Sequence, residues 1–308
     1  MEILGTRGRD DLASVFVARM REEPLALVEF VDAVDPRYPR AEKWVVTVST
    51  QFGCPVKCAF CDSGGFFAGN LTEDEILAEI DHVVRRRAPD GRIGARKFKI
   101  HFARMGEPSL NPAVIRVLER LPGVYDAPGL IPCVPTVAPS AASAFFDRLL
   151  DVKRRHYGGG HFQLQFSINS TDPGTRDSLM PVPKWGLDEI AGYARRWHDP
   201  GDRKVVLNFA LTPSCPLDPE VVASHFDPGI CMVKLTPLNP TDTAMASGMK
   251  TAVSSEAPHG ADPIAEALRA LGFECVVSIG EPEEIEIGSN CGQAATRILR
   301  ERLYSERR

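Results

Sequence analysis

The chain has 308 residues, 36 Lys and Arg against 41 Asp and Glu, a net charge of −5 and 44% hydrophobic residues. This is ordinary soluble composition, and the acidic balance argues against a surface built mainly to neutralise phosphates. No run of about 18 apolar residues is present, and the charged start MEILGTRGRDDLA lacks the apolar stretch of a secretory leader; a cytoplasmic protein is expected, its eight cysteines being thiols or metal ligands rather than disulfides.

In chain order, residues 1–43 read as a short cap, 44–300 as one core and 301–308 as a tail. Apolar, β-branched runs predict strands at 44–49, 97–102, 130–137, 161–169, 204–211, 232–235 and 274–279. The fourth is the clearest, with Phe162, Leu164, Phe166 and Ile168 alternating with polar residues. Between the first two strands lies 72-TEDEILAEIDHVV-84. Thr72 and Glu75 form a capping box there, and Ile76, Ile80, Val83 and Val84 share one apolar face. Further helices are predicted at 111–121, 141–151, 186–197, 219–225, 262–271 and 292–306. Gly158–Gly160 reads as a turn. Strand alternating with helix implies parallel strands and right-handed crossovers. The predicted fold is α/β, a partial (β/α)6 TIM-like barrel with its chemistry at the C-terminal ends of the strands.

The stretch 54-CPVKCAFC-61 follows the first predicted strand, where that rule wants it. Thiolates are soft donors suited to iron–sulfur clusters, and three of them leave one iron of a four-iron cluster open to a substrate or cofactor. A structural zinc site would need a fourth ligand, which His101 or Cys133 could supply. Three unrelated buried thiols are the remaining reading. Downstream, Glu107 follows a strand and a glycine, Ser167 and Asn169 end the alternating strand on one face, and Cys291 sits in 290-NCGQAA-295. Taken alone, Glu107 suits a surface turn, Ser167 and Asn169 suit turn caps, and Cys291 suits a buried thiol.

Together these motifs carry a resemblance. C-x-x-x-C-x-F-C is similar to the signature of the radical S-adenosylmethionine (SAM) superfamily. The stretch 105-MGEPSLNPAVI-115 resembles the G-M-G-E-P-L-x-N motif of its RlmN/Cfr branch, the adenine methylases of ribosomal RNA. The stretches 164-LQFSINSTDPGTRDSLMPV-182, 233-VKLTPLNP-240 and 290-NCGQAA-295 resemble that branch's S-L-H-A…R…M-P, N-L-I-P-F-N-P and A-C-G-Q-L segments. The resemblance runs from about residue 44 to 300. It implies a [4Fe-4S] cluster on Cys54, Cys58 and Cys61 that binds SAM at its open iron and cleaves it to methionine and a 5′-deoxyadenosyl radical. The electron would come from a donor such as flavodoxin or ferredoxin.

It further implies that Phe60 lies near the adenine of SAM, that Gly106 lets the backbone approach, and that Glu107 accepts from the SAM ammonium. Ser167 and Asn169 would contact the ribose or carboxylate. Cys133, with Thr136 close by, aligns near a SAM-contacting serine. Cys291 would be methylated by one SAM and then activated by the radical from a second. In the family, a cysteine seven residues before the cluster motif resolves the protein–RNA adduct; that position is Thr47 here. A hydroxyl is a far poorer nucleophile than a thiolate, so that step cannot run as described, and Cys215, Cys231 and Cys275 are the other thiols at hand.

Three departures bear on the substrate. Few residues precede the first predicted strand. The family's basic segment before A-C-G-Q is replaced by 280-GEPEEIEIG-288, with Glu281, Glu283, Glu284 and Glu286, which would repel phosphates. The family's G-V-N-D loop is replaced by 212-TPSCPLD-218. The basic run 84-VRRRAPDGRIGARK-97 reads as a solvated face with few aromatics for stacking on bases. The expectation is methyl or methylene transfer through Cys291 to a small molecule or peptide, with no membrane partner. An RNA (rRNA or tRNA adenine) methylase is the enzyme alternative, and an iron–sulfur or zinc regulator is the non-enzyme one.

Overall fold

The computed structural model describes residues 1–289 and 294–305. These form two units: Met1–Lys57 with Cys61–Cys133 and Glu283–Arg308, and Cys58–Phe60 with Val134–Pro282.

The first unit begins with strands absent from the sequence reading. β1 (Glu2–Arg9), β2 (Ala13–Arg19) and β3 (Leu27–Val34) form an antiparallel run. β3 then pairs antiparallel with β4 (Lys43–Thr47), from Val31 opposite Thr47 to Val34 opposite Trp44. A small ladder, β5 (Gln51–Gly53) with β6 (Phe67–Asn70), brackets the cysteine motif. Next comes α1 (Glu73–Arg87), started as predicted. The Thr72 hydroxyl accepts from the Glu75 N–H (3.2 Å), and the Glu75 carboxylate accepts from the Thr72 N–H (2.8 Å). Ile76, Ile80, Val83 and Val84 are all buried, each burial contributing roughly 1.5–3 kcal/mol. β7 (Lys97–His101) lies parallel to β4, and α2 (Ala113–Val124) leads to β8 (Leu130–Thr136). β8 pairs parallel with β7 from Phe98 opposite Leu130 to His101 opposite Cys133.

The second unit repeats strand and helix: α3 (Ser143–His156), β9 (Gln163–Ser167), α4 (Pro173–Leu179), α5 (Leu187–Trp197), β10 (Val205–Leu211), α6 (Pro219–His225), β11 (Cys231–Pro237), α7 (Asp242–Ala246), α8 (Asp262–Ala270) and β12 (Cys275–Val277). β9 to β12 are parallel neighbours in chain order, so the α/β class predicted from the alternation is the one found. Their apolar residues are buried nearly throughout, as parallel strands covered on both faces require. Phe146 and Tyr193 both pack on Phe166, which ties α3 and α5 to β9. β9 is shorter than its 161–169 prediction. It stops at Ser167, and Asn169 takes a left-handed backbone (φ 60°).

The chain then adds α9 (Pro282–Ile287) and α10 (Ala294–Ser305). Ala294, Ala295 and Leu299 bury against Val17, Leu27 and Met105, with Phe66 packed alongside. Among the described residues no helix is long and apolar enough to cross a membrane.

One buried carboxyl stands apart. Glu79 on α1 accepts the Ser49 N–H (2.8 Å) just upstream of the cysteine motif, and its other oxygen has no hydrogen-bond partner among the described residues. Burial first, then the Glu75 and Glu29 charges, raise its pKa well above 4.5, against the Ser49 N–H, which lowers it. Folded Glu79 keeps its proton where the unfolded chain has lost it, so stability falls as pH rises above about 4.5 toward the folded pKa. Glu79→Gln should raise the thermal midpoint at pH 8 by a few degrees, at roughly 2–4 °C per kcal/mol for a chain of this size. In calorimetry from pH 4.5 to 8 the gain should shrink toward acid; a gain that grows toward acid would contradict this.

Candidate functional site

The cysteine motif is a loop closed at its base. The Cys54 N–H donates to the Phe66 carbonyl (3.0 Å) beside the β5–β6 ladder. Gly53 there has φ +76°, and a Cβ on it would stand 2.0 Å from the Phe66 oxygen, so no other residue fits. Lys57 is left-handed (φ 56°). Gly64 packs on its backbone so closely that an added Cβ would lie 2.7 Å from the Lys57 Cα. In the second unit, the Ala59 N–H donates to the Leu179 carbonyl (2.9 Å) and the Thr241 hydroxyl donates to the Phe60 carbonyl (2.7 Å). Phe60 itself is half-buried.

Cys54 is buried, and Cys58 and Cys61 are half-buried. Burial first, then the charge of Cys61, pushes the Cys54 thiol up to about 12; Glu107 adds to this, and the N–H groups of Val56 and Lys57 oppose it. Burial likewise pushes Cys61 up, against the N–H groups of Ser63 and Gly64. Such thiolates persist only beside positive charge, and metal coordination supplies it by displacing the proton. The N–H donors around each sulfur are of the kind that tune cluster sulfurs. The residues therefore fit an iron–sulfur cluster. Among the described residues no three His, Cys, Asp or Glu side chains converge as ligands of one metal ion. A four-iron cluster gives each thiolate its own iron.

Within the same unit, Glu107 is close enough to Cys54 to raise its pKa. The Glu107 N–H donates to Gln51 Oε1 (2.8 Å), and its carboxylate accepts from the Ser109 N–H (3.1 Å) and hydroxyl (2.7 Å). Glu107 is buried, not on a surface turn. Gly106 has φ +102°, and a Cβ there would meet Thr50 and Gln51 side-chain atoms at 2.7 Å, so the glycine serves close packing of this turn on the cysteine loop's approach. Asn111 supplies a brace that the sequence reading missed. Its amide donates to the carbonyls of Thr50 (2.7 Å) and Leu71 (2.8 Å), one on each side of the β5–β6 ladder. An Asn at the last place of 105-MGEPSLN-111 was the available signal.

The other predicted residues distribute as follows. Cys133 is buried in β8 opposite His101. Ser167 ends β9 opposite Asn208. Asn169 Oδ1 accepts from the Ala210 N–H (3.2 Å), and its Nδ2 donates to the Met180 sulfur (3.6 Å), so its side chain braces β10. It lies past the end of β9, and the shared face predicted for it with Ser167 is not formed. Thr47 ends β4. Cys215, Cys231 and Cys275 are buried. Burial first pushes Cys231 up to about 12 and raises Cys275, opposite to what a resolving nucleophile needs. Cys291 lies outside the described residues. In the basic run, Arg85 pairs with Asp81, Arg87 with Asp10 and Asp32, and Arg96 with Glu42. Glu281, Glu283 and Glu286 are exposed, and Glu284 is half-buried.

No protein-family model matches the chain. A probable dual-specificity RNA methyltransferase RlmN of Frankia alni is 29% identical over 277 residues, covering 86% of this chain and 61% of its own length. That of Mycolicibacterium vanbaalenii is 29% identical over 278 residues, covering 86% and 70%. The chain thus spans about three fifths to seven tenths of these relatives. Among solved structures, a radical SAM methyltransferase from Sphaerobacter thermophilus superposes with a TM-score of 0.72 at 25% identity, over 95% of this chain and 81% of that one. SuiB of Streptococcus suis, solved with S-adenosylmethionine, shares the fold at a TM-score of 0.52 and 13% identity, over 77% and 51% of the two chains.

Replacement of Cys54, Cys58 or Cys61 by Ser should abolish iron uptake on anaerobic reconstitution, whereas Cys133→Ser should retain about four iron atoms per chain. Elemental analysis measures this. Iron retained by a motif variant, or lost with Cys133→Ser, would contradict the ligand set.

Proposed function

Since the chain is a relative of the RlmN/Cfr-type radical SAM methyltransferases, we propose that it is itself a radical SAM enzyme that methylates RNA, with adenine as the base. The similarity to RNA methyltransferases over most of this chain carries the reading. It favours RNA over the small molecule or peptide that the acidic 280–288 segment suggests. Residues 44–300 serve as the catalytic core and 1–43 as its cap.

Cys54, Cys58 and Cys61 would hold a [4Fe-4S] cluster. When bound, the cluster supplies the electron that divides SAM into methionine and a 5′-deoxyadenosyl radical, itself drawn from a donor such as flavodoxin or ferredoxin. Glu107, buried beside Cys54, accepts from the SAM ammonium, and Phe60 packs on the adenine. Ser167 offers its hydroxyl to the ribose or carboxylate. The side-chain oxygen of Asn169 is engaged by the Ala210 N–H on β10. Cys291 acts as a covalent carrier. Its thiolate forms a bond to the SAM methyl carbon as the carbon–sulfonium bond breaks and S-adenosylhomocysteine leaves. Adduct release cannot follow the family's thiol route, because Thr47 stands at the resolving position and the thiols of Cys231 and Cys275 are buried and raised. Arg85, Arg87 and Arg96 of the 84–97 run are already in ion pairs with carboxylates of this chain.

A specific observation favours a second reading. The exposed carboxylates of Glu281, Glu283 and Glu286, just before Cys291, suit a small or cationic substrate better than a phosphate chain.

The test is anaerobic turnover with methyl-labelled SAM, a reductant and total RNA, followed by nucleoside mass spectrometry. Label in an adenosine, lost with Cys291→Ala, is the expected result. Release of 5′-deoxyadenosine with no label in RNA would overturn the RNA reading in favour of the second.

A further inference from the structure

The Gly106–Glu107 turn departs from the motif it resembles at a residue that none of the roles above uses. G-M-G-E-P-L-x-N has leucine after its proline, and this chain has Ser109 there. Ser109 and Glu107 are both buried, each 4% exposed. A leucine at that place would offer the Glu107 carboxylate a backbone N–H and nothing more. Ser109 offers two donors. Its N–H reaches Glu107 Oε1 at 3.1 Å, and its hydroxyl reaches the same oxygen at 2.7 Å. The N–H bond alone caps the single 3₁₀ turn Pro108–Leu110, so the hydroxyl is surplus to forming that turn.

What the hydroxyl adds is orientation. The last torsion of a glutamate is broad rather than sharply staggered, and one hydrogen bond leaves the carboxylate room to turn about it. A second donor on the same oxygen, from a separate atom of one fixed turn, narrows that room. It is also a donor to a charged acceptor, the stronger class of hydrogen bond, and it offsets part of the cost of holding a carboxylate away from water. The backbone beneath is fixed as well. The Leu110 N–H donates to the Glu107 carbonyl (3.0 Å) and the Asn111 N–H to the Pro108 carbonyl (3.1 Å). Gln51 Oε1 takes the Glu107 N–H (2.8 Å), Gln51 Nε2 donates to Asn70 Oδ1 (2.7 Å), and Asn70 Nδ2 returns to the Leu110 carbonyl (3.2 Å). Glu107 is therefore held at its main chain from β5 and at its carboxylate by Ser109, in the same unit as Cys54 and Cys61.

We propose that Ser109 is a positioning residue for SAM, its hydroxyl fixing the Glu107 carboxylate in the orientation that receives the SAM ammonium. The inference rests on the ammonium role proposed for Glu107 and adds the residue that sets its geometry. A binding group gains most when its rotamer is locked before the ligand arrives, because less freedom is then lost on binding. Ser109 acts only through Glu107, so its contribution disappears when Glu107 can no longer carry charge. A serine that merely shaped the turn would matter equally with or without that charge.

The test is equilibrium dialysis of labelled SAM against the full chain, anaerobically reconstituted with iron and sulfide and left unreduced, so that binding is read without turnover. Ser109→Ala removes the hydroxyl and keeps the N–H, whereas Ser109→Thr keeps both donors. Ser109→Ala should raise the Kd for SAM about tenfold, as loss of a hydrogen bond to a charged group does, with iron content and thermal midpoint as in wild type. Ser109→Thr should stay within about twofold of wild type by the same reasoning. In a Glu107→Gln background, Ser109→Ala should change the Kd by less than about twofold, since residues that act through one another are not additive. Wild-type affinity in Ser109→Ala, or the same loss in both backgrounds, would overturn the positioning role. Wild-type affinity in Glu107→Gln would overturn the ammonium role and this inference with it. Wild-type protein that carries iron and binds no SAM would overturn the radical SAM reading itself.

Discussion

A thiolate cannot be held in a protein interior without a positive partner, and the rest of this structure is arranged around that constraint. Burial first, then the nearby charges of Cys61 and Glu107, pushes the Cys54 thiol up to about 12. Such a group is inert as a nucleophile and an unstable anion in an empty site. Coordination to iron changes both properties at once, and the backbone N–H groups of Val56, Lys57, Ser63 and Gly64 then face sulfurs that carry negative charge. Burial that would be a liability for a free thiol suits a cluster ligand, whose potential depends on hydrogen bonding and exclusion of water.

The loop's shape follows from a few positions that allow no substitute. Gly53 and Gly64 give the chain room to fold on itself, and Lys57 takes a conformation disfavoured for a side-chain-bearing residue, a strain maintained only where the surroundings impose it. Asn111 and Gln51 bind that loop to the Gly106–Glu107 turn through backbone groups. Beside it, Arg104 donates to the carbonyls of Gly288 and Ser289 and Glu29 accepts the N–H groups of Ala294 and Ala295.

Much of this was legible in the sequence, for physical reasons that can be named. α1 was readable because its capping box and apolar face are local, and β9 because alternation has a period of two. The cysteine motif was readable because thiols at that spacing have few other uses. The first three strands were missed. β3 (LVEFVDAV) is an apolar run that contains Glu29 and Asp32, and buried acids in a strand hide its signal until their partners are known. Those partners are distant in the chain. Arg40 and Arg87 meet Asp32, and Arg104 meets Glu29. Asn169 misled by its spacing, since two residues on from Ser167 means the same face only while the strand continues. The helices α4, α7 and α9 span seven residues or fewer, at most about two turns, too short for an apolar face to repeat.

The central claim is that three thiolates leave one iron without a protein ligand, and electron paramagnetic resonance tests it most directly. Anaerobically reconstituted, reduced protein should give a four-iron signal whose g-values move when SAM is added, because SAM occupies the open corner. A signal indifferent to SAM, or protein that takes up zinc and gives no signal, would contradict the account.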